Sequence, residues 1–388
     1  MNLIEVKTNK DSKKFINISI SINKNEDNWI RPIDNEIEAI FKTEENITFK
    51  NGECIRWVLE DNNKIIGRIA AFINFKTATK DNDQPTGGIG FFECINNQEA
   101  ANLLFDAGKD WLEKKGMEAM DGPINFGDRD KWWGLLTKGF DVEPNYQCNY
   151  NLSYYQDLFE NYGFQNYFDQ YTYTRKIKDP VNHRLQHKAD LIKKDPDYTF
   201  EHFNMKKFKK QTKDIITIYN KAWVNHKGVP KMTQEKGEEI INQLKPILEE
   251  RIIWLGYYKE KPVAFYFNIP DVNQLLKHVN GKFNLIGKLK FLWHKKFNNN
   301  QKMLGIIFGV VPEHQGKGVD GAIILASLDT LHDISKKYPV TEIKGIGDFN
   351  KKMILVLKQV GGDICKVHST YRYLFDRNKP FERIKPIQ

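Results

Sequence analysis

The sequence predicts an α/β protein in which a mixed sheet with flanking helices occurs twice in tandem. The 388 residues are enough for two domains that each bury a core. One order of elements is found twice along the chain: a hairpin, then strand, helix, strand, helix and strand. In the second copy, a polar loop with two glycines joins an apolar run to a helical segment. We therefore expect an N-terminal domain over residues 1–174, a basic linker over 175–199 and a C-terminal domain over 200–388.

The first copy follows a short strand and a helical patch near the N-terminus. Apolar runs at residues 56–59 and 65–75 flank a polar turn, which predicts a hairpin. A glycine-rich strand over 87–95 precedes a helix over 98–115, because apolar residues recur there at helical spacing. A strand over 117–121, a helix over 154–162 and a strand over 163–174 complete the copy.

The second copy begins with helices over residues 206–223 and 234–248. Runs at 251–258 and 262–269 predict a hairpin across a charged turn. The remaining elements are a strand over 303–311, a helix over 318–337, a strand over 340–346, a helix over 350–360 closed by two glycines, and a strand over 364–375. A long insertion, residues 271–301, separates the second hairpin strand from the strand that follows, and part of it is basic and amphipathic.

Composition excludes several classes of protein. No run of 18 apolar residues occurs, so we expect no membrane span, and the first residues lack the apolar core of a signal peptide. The four cysteines have no metal-ligand spacing, which predicts reduced thiols in a cytoplasmic protein and no metal site. The net charge is −9 over residues 1–170 and +18 over 171–388. The second half therefore suits an anionic ligand, with a solvated basic surface as the simpler alternative.

The loop at residues 313–318 predicts an anion site. An apolar strand stops at Pro312, and the helix begins at Gly318. Unpaired backbone amides and the positive end of the helix dipole meet at such a turn. Gly316 and Gly318 lack the Cβ atoms that would keep a phosphate at a distance. The pattern is neither a Walker loop, since no Gly-Lys-Ser/Thr follows, nor a complete dinucleotide fingerprint.

The spacing of Gln315 and Gly318 resembles motif A of the GNAT superfamily of acyl-CoA transferases, Gln/Arg-x-x-Gly-x-Gly/Ala, with Asp320 at the last position. The order of elements over residues 200–376 is similar to the GNAT fold, and the first copy matches it by element order and short signatures. Together they resemble uncharacterised bacterial tandem-GNAT proteins, without a glycine loop in the first copy. The resemblance implies acetyl-CoA or another acyl-CoA as co-substrate, bound by the following residues: Val310, Val311, Gln315, Gly316, Lys317, Gly318, Val319 and Asn350.

The resemblance also implies direct attack of an amine on the thioester in a ternary complex, with a small-molecule or peptide amine as acceptor. Glu342, on the strand that flanks the cleft in this fold, is a candidate base. Asn350 is either a cofactor contact or a helix cap. Tyr373 could protonate the departing thiolate, although alternating aromatic residues on a strand are more often core. Gly318→Glu is expected to abolish CoA binding without unfolding the protein.

Two segments are candidates for the acceptor side. Residues 223–230 join the first two helices of the second domain, where GNAT proteins usually contact the acceptor. The insertion is either a lid over a lipid-like or acidic acceptor or a packing appendage. Two other functions stay open: a Fem-type transferase that uses charged tRNA, and a non-catalytic CoA- or ligand-binding protein, which Asp320 favours. No other nucleic acid is expected, and the oligomeric state is left open.

Overall fold

The computed structural model describes residues 1–80, 82–222, 231–297 and 300–386, without the side chains of 331–334. In the N-terminal half it contains, in chain order, β1 (Asn2–Glu5), α1 (Asn9–Ile22), α2 (Asp34–Ile40), β2 (Gly52–Asp61), β3 (Lys64–Asn74), β4 (Thr86–Cys94), α3 (Gln98–Lys114), β5 (Ala119–Gly122), β6 (Leu135–Lys138), α4 (Tyr155–Tyr162) and β7 (Gln165–Lys176).

The remaining elements follow the same pattern, with some additions. They are α5 (His183–Lys194), β8 (Tyr198–His202), α6 (Phe208–Ala222), α7 (Gln234–Leu244), β9 (Ile253–Tyr258), β10 (Lys261–Pro270), α8 (Asn273–Leu276), α9 (Leu285–Phe297), β11 (Lys302–Val310), α10 (Val319–Ile334), β12 (Val340–Gly347), α11 (Lys351–Gln359) and β13 (Asp363–Leu374). In the described residues, α5 is added before the pattern, α8 and α9 are inserted within it, and β6 has no counterpart. The α/β class and the repeated order of elements are confirmed.

A single sheet runs through both halves of the described chain. Its strand order is β1-β2-β3-β4-β5-β13-β7-β12-β11-β10-β9-β8, and β6 pairs with β13 outside this path. The last strand of each half lies in the other half: β13 pairs with β5, and β7 pairs with β12. The two strands also pair with each other along most of their length. The halves are thus joined through exchanged strands as well as through the chain between them.

Residues 175–199 contain regular structure where the sequence analysis expected a linker. Leu185 and Ala189 of α5 are buried, and Ala189 packs against Ala322 and Leu325 of α10. Asn182 caps α5 by accepting a hydrogen bond from the amide of Arg184 at 2.8 Å. The helix is easily missed in the sequence because basic side chains cover the rest of its surface.

Each half has its own hydrophobic core on the helical faces of the sheet. In the N-terminal half, α3 and α4 pack through Leu104, Phe105 and Phe159 against β3 and β4, while Phe15 of α1 covers the opposite face. In the C-terminal half, α6 and α10 pack against β9, β10 and β11, with Phe265 among the fully buried side chains. These layers fix the ends of β11 and β12, where the glycine loop lies.

Candidate active site

The glycine loop forms the turn that its sequence predicts. β11 ends at Val310, a short turn covers Pro312–His314, and α10 begins at Val319. Gly316 and Gly318 have φ angles of +74° and +95°, in the left-handed region that other residues enter at a cost of about 1–2 kcal/mol. The two glycines therefore allow the chain to reverse between strand and helix.

The backbone amides of this loop form a candidate anion site. Within the described residues, the N–H groups of residues 316–321 have no acceptor at hydrogen-bonding distance, and the first amide in use is that of Ala322, which donates to Gly318. A Cβ at Gly316 would meet nothing within 4 Å. With the dipole of the sixteen-residue α10 behind them, these amides can hold a phosphate group. Lys317 is exposed beside them.

Two side chains fix the loop to the strand that precedes it. The Gln315 side chain donates from Nε2 to the carbonyl of Val310 at 2.9 Å. The ring nitrogen Nδ1 of His314 lies 2.6 Å from the Tyr198 hydroxyl, and burial lowers the pKa of His314. The Gln315 side chain thus holds the loop against the end of β11. Val310 and Val311 are buried in the core, so only their backbone is available to a ligand.

Gly318 is more enclosed than its place in a loop suggests. A Cβ there would lie 3.0 Å from the Cβ of Lys188 on α5. Gly318→Glu would therefore strain the backbone and the contact with α5 in addition to repelling a phosphate. The exposed Lys317 offers a cleaner probe of the loop.

β11 and β12 stop pairing and separate next to this loop. They are parallel and pair from Lys302 to Gly305 of β11 only. At that point Ile306 is an extra residue between the pairs that β11 makes with β10, and its side chain is 46% exposed. Such a bulge re-aims the strand. Beyond it, the edge of β11 that faces β12 has no strand partner among the described residues, and this slot leaves backbone groups available to an extended ligand.

An apolar cleft lies under the slot, between the sheet and helices α10 and α11. Its enclosed space measures about 40 Å³, far less than the roughly 300–1,000 Å³ of pockets that bury a ligand, so a ligand that enters it must displace the surrounding side chains. Its walls come from β7, β10, β11, β12 and both helices: Tyr173, Thr174, Arg175, Ile177, Tyr266, Met303, Phe308, Ile324, Ser327, Leu328, Thr341, Ile343, Met353, Val356, Leu357, Val360 and Gly362.

Arg175 is the charged group in the cleft wall. It is buried, and burial lowers the pKa of its guanidinium. One guanidinium nitrogen donates to the carbonyl of Asp179, while Nε has no acceptor among the described residues. Tyr266 lies close enough to interact with it. The sequence analysis missed both residues, because a single arginine in a basic segment and a tyrosine in a strand carry no distinguishing pattern.

Glu342 lies on the opposite face of β12 from the cleft. It is 2% exposed, and its carboxylate accepts hydrogen bonds from Lys302 at 2.9 Å, Lys366 at 2.8 Å and Asn145 at 2.7 Å. Burial alone would raise the pKa of Glu342, but the lysines and these hydrogen bonds outweigh it and hold the pKa below its ordinary value. An ionised carboxylate with three donors is a weak base.

Asp271 is the second carboxyl of this cluster. It is 1% exposed, and burial raises its pKa, with Lys302 opposing the shift and Glu342 adding to it. Asn145 lies within 3.3 Å of Asp271 and also bonds Glu342. The cluster joins a loop of the N-terminal half to β10, β11, β12 and β13. Its geometry is that of an ionic joint between the halves.

The other two predicted catalytic residues lie in different places. Asn350 caps α11: its Oδ1 accepts from the amide of Met353 at 3.1 Å, and its side-chain nitrogen makes no hydrogen bond within the described residues. Tyr373 lies on the part of β13 that pairs with β5, and its ring packs against Tyr162 and Phe164. The exchange of strands thus carries Tyr373 into the N-terminal core. Residues 223–230, predicted to contact the acceptor, lie outside the described residues.

Solved structures with the same architecture identify the fold. A tandem GNAT protein from the clavulanic acid biosynthesis pathway aligns with a TM-score of 0.53 at 8% identity, over 97% of this chain and 99% of that one. The chain has the tandem GNAT fold. A GCN5-related N-acetyltransferase from Sphaerobacter thermophilus aligns with a TM-score of 0.50 at 8% identity, over 98% of both chains. The fold predicted from the GNAT resemblance is confirmed.

Two known protein sequences are similar to this chain over almost its whole length. The bacterial ceramide synthase of Caulobacter vibrioides is 24% identical over 379 residues, which cover 96% of this chain and 97% of that protein. Protein YghO of Escherichia coli is 24% identical over 370 residues, 93% of this chain and 92% of that protein. No family model matches the sequence. In the described part of the chain, every helix is too short or too polar to span a bilayer.

Proposed function

We propose that the chain is an N-acyltransferase that moves a fatty acyl group from acyl-CoA to the primary amine of a long-chain amino alcohol, forming an amide. The tandem GNAT fold and the glycine loop support acyl-CoA as donor. The similarity to a protein named ceramide synthase supports the acceptor, because a ceramide is the amide of a fatty acid with such an amine. The GNAT resemblance alone leaves the acyl group open.

The apolar cleft is the observation that carries the proposal. It lies on the helix that follows the glycine loop and beside the strands that part there, and its walls are mainly aliphatic and aromatic. A fatty chain that displaces these side chains would bury its methylenes against them at about 0.8 kcal/mol each, whereas a two-carbon acetyl group gains little from such a lining. The cleft therefore favours a long acyl group.

In this proposal, each part of the site has one task. The amides of residues 316–321 hold the pyrophosphate of CoA, with Lys317 adding charge. The slot between β11 and β12 holds the pantetheine arm against unpaired strand backbone, and the side-chain nitrogen of Asn350 is available to it. A backbone N–H of β11 near residues 308–311 faces the carbonyl oxygen, where negative charge develops during attack.

The reaction is a direct transfer. The neutral amine attacks the thioester carbonyl, an N–C bond forms and the C–S bond breaks. The CoA thiolate leaves and takes up a proton, and the attacking nitrogen gives one up to solvent or to a base. Glu342 is assigned to positioning, since its carboxylate already holds two ammonium groups. Tyr373 is placed outside the transfer site.

The test compares two neighbouring tryptophan substitutions on α11. The Val356 side chain lines the cleft, whereas Leu355, the residue before it, is 57% exposed. Purified protein is incubated with palmitoyl-CoA or acetyl-CoA and sphinganine, and the amide is quantified by mass spectrometry. We expect N-palmitoyl product, at least a tenfold lower rate with palmitoyl-CoA in Val356→Trp, and no change in Leu355→Trp.

Two results would contradict the proposal. Saturable CoA binding by calorimetry without any amide product would favour a non-catalytic CoA-binding protein. Equal loss of palmitoyl and acetyl transfer in Val356→Trp, with CoA binding intact, would mean that the cleft does not hold the acyl chain.

A further inference from the structure

Helix α9, in the insertion between β10 and β11, presents an apolar face to solvent. Six large apolar side chains on this thirteen-residue helix are 57–74% exposed. Globular proteins rarely leave so many large apolar side chains together on one helix without a partner. The six are Leu285, Ile286, Leu289, Leu292, Trp293 and Phe297.

The opposite side of α9 is firmly seated on the protein. Gly287 and Phe291 are its buried residues, and Phe291 packs in a cluster with residues of α8 and the segment after it, including Leu275 and Val279. The rings of His278 and His294 stack with centroids 3.7 Å apart. The exposed face is therefore held outward by packing on the other side of the helix.

Positive charge surrounds this apolar face. Residues 272–301 contain six lysines and neither aspartate nor glutamate. At 100° per residue, Lys290 lies on one flank of the apolar arc, and Lys288 and Lys295 lie on the other. Lys296 lies within the arc. Lysine stems of this kind extend along an apolar surface and keep the ammonium group in water.

We propose that α9 docks the protein on a membrane surface that contains anionic lipids. An interfacial helix combines an apolar face with flanking lysines that attract anionic headgroups. Trp293 suits the boundary between acyl chains and headgroups. The helix is about 20 Å long, shorter than the roughly 30 Å hydrocarbon core, so it lies in the plane of the surface.

The charge pattern favours a lipid surface over a second copy of the chain. In a twofold dimer through α9, each lysine-rich face would meet an identical one, and the four lysines of one helix would oppose the four of the other. An anionic lipid surface supplies the countercharge that such a dimer lacks.

Vesicle flotation tests the docking. Full-length protein is mixed with phosphatidylglycerol-containing or pure phosphatidylcholine vesicles at physiological salt. The double variant Leu289→Glu and Trp293→Glu removes the apolar face, and Leu191→Glu on α5, a leucine 55% exposed elsewhere, is the matched control. We expect flotation with the anionic vesicles, at least a tenfold loss in the double variant, none in the control, and weakening as salt rises.

A second measurement locates the contact. Phosphatidylglycerol vesicles with brominated acyl chains quench tryptophans that enter the membrane, and Trp293→Phe should remove most of this quenching while flotation persists. Failure of the wild type to float, equal flotation of the double variant, or a lipid-free dimer that the double variant abolishes would each overturn the proposal. None of these readouts requires acyl transfer, so their failure is separate from failure of the proposed activity.

Discussion

The two halves of the molecule share a backbone frame but differ where a cofactor would bind. In each half a strand pairs in parallel with a neighbour for a few residues and then separates from it: three pairs between β4 and β5, four between β11 and β12. In the C-terminal half the helix that follows begins with free amides. In the N-terminal half, Asn97 caps α3 by accepting from the amide of Ala100 at 2.9 Å. The proposed phosphate site thus depends on unpaired donors as well as on the fold.

The cavities of the two halves differ in the polarity of their walls. The N-terminal one has about 60 Å³ of enclosed space, and buried polar groups line it. Arg68 lies 3.4 Å from Glu93, and the Tyr155 hydroxyl donates to Glu93 at 2.7 Å. Burial raises the pKa of Glu93, while Arg68 opposes the shift. Such a network makes a poor pocket for an alkyl chain, so the difference supports the proposal that an acyl group binds in the C-terminal half.

The largest expected effect tests whether the halves are one cooperative unit. Glu342→Ala leaves Lys302 and Lys366 buried without their common partner. Loss of one member of a buried ion pair costs about 3–5 kcal/mol. We therefore expect denaturant unfolding to lose that much free energy in a single transition, reported equally by both halves, because the exchanged strands belong to one sheet.

Glu53→Ala is the control for this experiment. Its ion pair with Lys115 lies at the surface, with both side chains more than a third exposed, so its loss is expected to cost less than about 1 kcal/mol. Two separate transitions in the Glu342 variant would show that the halves fold independently. A fully stable variant with a much lower transfer rate and an altered pH profile would instead support Glu342 as a base.

The next effect concerns acid stability on the exchanged strand β13. His368 is 5% exposed, its Nε2 lies 3.0 Å from the carbonyl of Asn149, and burial lowers its pKa to about 4. The unfolded chain binds a proton near pH 6.5, before the folded one does. His368 therefore contributes about 3 kcal/mol to the free energy of unfolding above about pH 6.5, and this contribution is lost as the pH falls towards 4.

Unfolding free energies between pH 7 and pH 4 measure this contribution. His368→Gln keeps a donor for the Asn149 carbonyl without a titrating ring, so its unfolding free energy should fall less steeply with acid. Equal slopes for the variant and the wild type would place the acid sensitivity elsewhere in the molecule.

The sequence predicted much of this fold, since periodicity and turn residues are local signals. The repeated order of elements, the loop at Gly316 and Gly318, and the lack of such a loop in the first copy could all be read from it. The exchange of β7 and β13 could not, because both are final strands with similar apolar patterns. Tyr373 was consequently expected beside the cleft. Partners of a strand are a long-range property that spacing does not encode.

The roles of the buried residues near the site were equally hard to predict from the sequence. Glu342 was correctly placed on its strand, but a sequence does not show that two lysines 40 and 24 residues away converge on it. Arg175 fell in a segment expected to be a linker. Helix α9, by contrast, was visible as a basic amphipathic stretch. Its exposed apolar face needed the structure, because both sides of the helix carry apolar residues.

The smallest expected effect is a change in CoA affinity when the charge beside the glycine loop is reversed. Lys317→Glu changes the charge beside the loop amides by two units without altering a glycine. At about 6 Å in water, each unit changes the interaction with a bound phosphate by about 0.7 kcal/mol, so CoA should bind about tenfold more weakly. Lys64→Glu, an exposed change of the same charge in the N-terminal half, should leave the affinity unchanged.

Calorimetric titration with CoA at low and high salt measures both variants. The loss in Lys317→Glu should shrink as salt rises, because the lysine is exposed and its charge is screened. Equal weakening in the two variants would mean that CoA senses only the net charge of the protein. Unchanged affinity in both would mean that the glycine loop does not bind the phosphates of CoA. The unpaired amides of the C-terminal half would then no longer distinguish it from the N-terminal half, where the helix is capped.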